Sequence, residues 1–268
     1  HYSVMEEVYS DYQYVLKSPE SHYFLTNDGF ELFMLHMDID WILLFLIVLL
    51  SLQLISKDYA SGVIQITQTS KLGRGKFATV KAGIMLVTTM VMSIVFQLLQ
   101  IICYGATNGL ASFDAPIQSI QAFENLEKEL TVVQAWICVV ILRMVAYIIF
   151  GMIVFGIAAF CKNSAFCIFI GVGIVFLPLY LLSGTYHQEI IYQTLTPVGT
   201  LNGYGFLLGS NKPDLELDYF FQELYWTDII SISIVQLFIG IIIMAMALIK
   251  ISGKRINFRK LKQKGVKL

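Results

Sequence analysis

Five stretches of the chain are continuously apolar, at roughly 41–56, 80–104, 132–160, 165–183 and 229–251. A bilayer takes about 20 apolar residues per helical span. None of the five alternates apolar and polar positions with period two, which argues against barrel strands. The pattern predicts an all-α polytopic membrane protein with five transmembrane helices. The first run is short and borrows Tyr59 and Ala60 at its polar end. Pro178 is expected to kink the 165–183 span near one end.

Polar segments separate the runs within what reads as one transmembrane domain, 1–268. The segment 1–40 is rich in Tyr and acid and is expected to be partly helical, with turns at Ser18-Pro19 and Asn27-Asp28-Gly29. The segment 105–131 predicts an amphipathic helix around 117–130. The segment 184–227 holds Thr196-Pro197-Val198-Gly199 and Asn202-Gly203-Tyr204-Gly205 and is a candidate for partial re-entry at the membrane edge. No internal repeat or low-complexity linker interrupts this order.

Composition agrees with the runs. Hydrophobic residues make up 57% of the 268 and charged residues 14%, against about 25% charged in soluble domains. Charge also orients the chain. Of 18 basic residues, 14 fall in the loop 57–81, the short loop 161–164 and the tail 250–268. Lys and Arg collect on the cytoplasmic side, so these three are assigned inside. Segments 1–40, 105–131 and 184–227 are then extracellular, and that side holds 18 of the 19 acids. Trp41, Trp136 and Trp226 sit at the acidic-side ends of their runs, where an aromatic belt belongs. Five spans with Leu268 inside put His1 outside. Residues 1–40 hold no spanning run and no signal-peptide pattern. The expectation is an upstream span, six in the full protein, with a processed start as the alternative. The basic tail 250–268 suits an anchor on anionic lipid.

Candidate chemistry is sparse. The four cysteines, Cys103, Cys138, Cys161 and Cys167, lie in or at the ends of runs without paired spacing, so neither a disulfide framework nor a metal site is read. His1, His22, His36 and His187 are all assigned outside, and no Asp, Glu, His or Lys lies centrally in a run. There is no H-E-x-x-H, and "GRGKF" at 73–77 lacks the spacing of a nucleotide-binding P-loop. The reading is therefore not an enzyme. Arg143 is the exception among the runs, about eleven residues into 132–160. An intramembrane charge is costly and faces a bundle interior or a wet cavity. Two roles stay open: lining a translocation pathway with Gln97, Gln100 and Gln236, or a structural tie to one of those glutamines or to a backbone carbonyl. Gly151, Gly156, Gly171, Gly173 and Gly240 let helices approach closely.

Between the first two runs stands "KDYASGVIQITQTSKLGRGKFATVK", 57–81, with five basic residues. As a helix it puts Tyr59, Val63 and Ile66 on one stripe with Ile64 beside it, which suits a short helix at the membrane interface. Asp58 would favour its N-terminus through the helix dipole, and Gly73 and Gly75 would break it. Here the sequence resembles the permease subunit of ABC transporters of the ABC-2 (exporter-like) type. That family carries an acid, a glycine four residues on, an arginine twelve further and a lysine seven after that. Asp58, Gly62, Arg74 and Lys81 stand at those spacings. The chain departs in having Asp58 where Glu is usual and Lys71 where a proline often stands.

The resemblance implies a coupling helix within 57–76 that rests on a separate ATPase subunit, with ATP and Mg bound there and not by this chain. It implies a second copy of the permease or a homologous one, in the cell membrane and without nucleic acid. It also implies export of a peptide or hydrophobic small molecule. The acidic outer segments could draw cationic cargo by long-range field. Two other classes remain: an ATP-independent secondary transporter, and a membrane scaffold or sensor with a ligand-binding outer face.

Overall fold

A computed structural model describes residue 13 and residues 28–35, 40–69, 73–110, 113–120, 130–161, 168–173 and 226–253. The described residues are mostly helical, with no strand among them. Six helices are named in chain order: α1 Asp28–Leu35, α2 Asp40–Ala60, α3 Val63–Thr69, α4 Gly73–Asn108, α5 Val132–Phe160 and α6 Trp226–Ile251. Among the described residues, three helical stretches are long and apolar enough to cross a membrane: Gly75–Asn108, Val132–Phe160 and Ser233–Ile251. The apolar part of α2, Asp40–Ile55, is shorter. Of the expected 165–183 span, residues 168–173 are helical and the rest, Pro178 included, lies outside the described residues.

Helix α5 is central. It packs against α1, α2, α4 and α6, and 56% of its apolar window is buried against 28% in α4 and in α6. Residue pairs give the directions. Gly151 of α5 meets Ile47 of α2, while Gly156 and Gly240 bring α5 and α6 together through Ile243, Ile149 and Met152. Both partners advance with α5, so they run parallel to it. Helix α4 runs the other way, since Arg143 meets Gln100 and Gly151 meets Met85 and Thr89.

Small and polar residues, joined by Met85 and Ile101, face inward on α4, while many of its large apolar ones face out. Ala78, Ala82, Thr89, Ser93, Gln97 and Gln100 are buried, while Val80, Ile84, Val87, Val91 and Leu98 are exposed. This follows from the solvent: lipid tails are as apolar as Leu, so close packing and hydrogen bonds select the interior. Gly171 lies against Val48, but Gly173 has open space beside it and plays no such part.

The start of α5 is well finished. Thr131 is its N-cap in a capping box with Gln134. The amides of Val132 and Val133, which have no helical partner, donate to the carbonyls of Ala115 and Phe113 at 2.9 and 3.1 Å. Segment 113–120 therefore folds over this end of the bundle. It contains a single 3-10 turn, Ile117–Ser119, closed by an extended Ile120. The expected helix over 117–130 thus does not run on from Ile117; 121–129 lie outside the described residues. Of the turn expected at Asn27-Asp28-Gly29, Asp28 and Gly29 open α1 and Asn27 lies outside the described residues. Glycine is needed at 29 for close approach: a Cβ there would stand 2.5 Å from the Gly109 carbonyl.

Candidate functional site

Two polar constellations stand out, one at each end of α2. The first is the loop that joins α2 to α4. Gly62 adopts φ +72, a left-handed conformation that other residues enter only at a cost. It turns the chain between Ala60 and Val63 and sets α3 off as a separate short helix, packed on both α2 and α4. Ile64 is 4% exposed and anchors α3, whereas Ile66 is 70% exposed, beside exposed Gln65 and Thr69. The expected apolar stripe through Val63 and Ile66 is therefore corrected: Ile64 is the inward residue, and Ile66 points away from the bundle.

Asp58 is also placed differently from the expectation. It does not start the loop helix but lies in the last turn of α2, where the dipole disfavours an acid. Its partner offsets that. Lys81 of α4 forms an ion pair with the Asp58 carboxylate and donates a hydrogen bond to the Leu54 carbonyl. The Lys81 ammonium also lies 4.8 Å from the Phe77 ring centroid. Gly73 begins α4 and Gly75 is already within it. The helix thus starts several residues before the apolar run, and the expected break does not fall at Gly73 or Gly75; residues 70–72 lie outside the described residues. Arg74 is in the first turn of α4; its side chain lies outside what is described. A Cβ on Gly62 would meet nothing within 4 Å, so the backbone conformation, not close approach within the chain, accounts for glycine there.

The second constellation is buried at the Asp40 end. Arg143 is fully buried on α5. Its Nη1 donates to Gln100 Oε1 at 3.3 Å and its Nη2 to the Phe33 carbonyl at 3.0 Å. Its guanidinium lies 4.8 Å from the Phe33 ring centroid. Phe33 is in the last turn of α1, where carbonyls lack helical partners and a cation is favoured. One turn along α5, buried Tyr147 lies beside the carboxylate of Asp40 and close enough to Arg143 to feel both charges. Asp40 is 2% exposed. The two opposite charges thus share one interior, which lowers the cost of each in an apolar medium.

Of the residues singled out as a pathway, Gln100 meets Arg143 directly. Gln97 is buried one turn away on α4, with its Nε2 donating to Ser93 Oγ at 2.9 Å. Gln236 is buried on α6. Together with Thr89 and Ser93, the glutamines of α4 make a buried polar stripe at spacings of four, four and three residues. The geometry supplies the structural tie that sequence left open for Arg143, through both a glutamine and a backbone carbonyl. Sequence reasoning missed Asp40, Tyr147 and Phe33. Asp40 sits at the edge of a run and looks like an interfacial acid; Tyr147 is one of 14 tyrosines and carries no pattern of its own.

No protein family, curated protein or solved structure matches this chain.

Proposed function

We propose that the chain is the membrane-spanning permease subunit of an ATP-driven exporter of the ABC-2 type, with five spans in this chain and α3 as its coupling helix. One observation carries the reading. The acid and the lysine of the 58–62–74–81 pattern pair with each other across the loop. They clamp the ends of α2 and α4 and leave α3 presented on a fixed platform. Its outward edge, Gln65, Ile66 and Thr69, with Ser61 in the turn before it, is a small polar surface with one apolar centre. A separate ATPase that pushes on this edge would move α2 and α4 together, and through them α5. ATP and Mg would belong to that partner, and a second permease would complete the pore. The cargo in this reading is a peptide or a hydrophobic small molecule.

The experiment is copurification of the ATPase with the full chain, followed by substrate-stimulated hydrolysis in reconstituted membranes. Gly62→Ala strains the left-handed turn by roughly 1–2 kcal/mol and should weaken coupling. Gly62→Leu and Arg74→Glu should release the ATPase or uncouple hydrolysis from transport, with the helices still folded. Wild-type behaviour of all three in both assays overturns the coupling role and favours a scaffold.

A further inference from the structure

The lengths of α2 and α5 do not match at the Asp40 end. Asp40, the first residue of α2, lies beside Tyr147, the sixteenth residue of α5. At 1.5 Å per residue, α5 has already run about 20 Å before it reaches the start of α2. Helix α4 likewise continues for eight residues beyond Gln100, about 12 Å past the level of Arg143. Among the described residues, this leaves a notch beyond Asp40 between α4 and α5, with Arg143, Gln100 and Asp40 at its base. The buried polar stripe Thr89, Ser93, Gln97 leads away from that base. Gln97 Oε1 is a buried acceptor with no partner among the described residues.

Helix α1 fills the notch. Phe30 and Phe33 are fully buried there, packed edge-on to Phe113 and Trp136 with ring centroids 5.2 and 6.4 Å away. Gly29 lies against Gly105 and Gly109. At its tip, the Phe33 carbonyl and ring both rest on Arg143. An eight-residue helix is too short to be stable alone, so it is held by its seat. The seat combines this aromatic packing with one guanidinium, which satisfies a carbonyl that the end of the helix leaves open.

We propose that α1 is a removable plug of the polar interior, and that Arg143 is its latch. With α1 seated, the Asp40–Tyr147–Arg143 cluster and the stripe below it are sealed at this end. With α1 withdrawn, Arg143 loses its carbonyl partner and the notch opens to water. The plug requires only the bundle and holds whether or not an ATPase couples to α3.

The test uses the full chain with its four cysteines replaced by serine and one reporter, Val139→Cys. Val139 is fully buried among the residues that cover Phe30 and Phe33. The protein is placed in nanodiscs, so that both faces meet the solvent, and its reaction with a charged thiol reagent is timed. A second reporter, Ala158→Cys, sits in the other core cluster. The Val139→Cys thiol should react slowly. Arg143→Gln should speed it at least ten-fold, Arg143→Lys less, and Ala158→Cys should stay slow throughout. Phe33→Ala and Gly29→Leu, which disturb only the plug, should match Arg143→Gln, and they decide the matter if that variant cannot be purified. Unchanged rates in the plug variants, or equal acceleration of both reporters, overturn the proposal.

Discussion

Gly156→Ala should destabilise the bundle, whereas Gly83→Ala should stabilise it, although the two substitutions are chemically identical. Both glycines lie within long helices, and alanine in a helix interior is better than glycine by about 1 kcal/mol. At Gly83 nothing lies within 4 Å of the added methyl, so that gain stands alone. At Gly156 the methyl collides with the Cγ2 methyl of Ile243 on α6. Isoleucine in a helix is held almost to one χ1 rotamer, so Cγ2 cannot swing aside and the helices must part. Parting them loosens the close contact of Gly240 with Met152 and Ile149. Overpacking of this kind costs about 1–3 kcal/mol. The propensity gain is common to both, so the two variants should differ by the overpacking cost, about 1–3 kcal/mol, with Gly156→Ala on the unstable side. Reversible unfolding in mixed detergent micelles measures both. The double variant Gly156→Ala with Ile243→Leu removes the branch that collides and should recover most of the loss. A Gly156→Ala protein as stable as Gly83→Ala, or a loss that Ile243→Leu does not reduce, refutes the packing argument.

Two further outcomes are expected. Asp58→Asn and Lys81→Met, taken singly and together, should give a coupling energy of about 1–2 kcal/mol in the same unfolding assay. The Lys81 and Asp58 side chains are 14% and 18% exposed, between surface pairs worth at most about 1 kcal/mol and buried ones whose loss costs about 3–5; additivity would show that the clamp is weak. For orientation, Lys17→Cys should be labelled by an impermeant reagent added outside cells and Lys264→Cys should not. The reverse pattern overturns the assignment drawn from basic residues.

The helical, membrane-crossing character of the chain was legible in the sequence, because lengths of apolar run translate directly into helices and bilayers have a fixed thickness. That the loop holds a short helix was legible too, since its polar residues interrupt two such runs, but not its bounds: it starts at Val63, and Asp58, expected at its start, lies in the last turn of α2. The spacing of Asp58 and Lys81 was visible, 23 residues apart, but not their contact. That contact exists because α2 and α4 run antiparallel and Gly62 takes a left-handed turn. Arg143 announced itself as a lone charge, while its surroundings did not. Its hydrogen-bond partners come from α1 and α4, and the buried acid that shares Tyr147 with it is the first residue of α2, 103 positions away.

The reason lies in the solvent. In water, the hydrophobic pattern of a helix says which face is buried. In lipid, both faces are apolar, and the pattern says only that the helix crosses. Which face packs is decided by glycines that admit a neighbour and by polar side chains that find one, as Gly151 and Gln100 do here. Sequence therefore determined how many apolar segments the chain offers and where they are interrupted. Tertiary structure alone decided that α1 packs on α4 and α5 and that the carbonyl of its Phe33 meets Arg143.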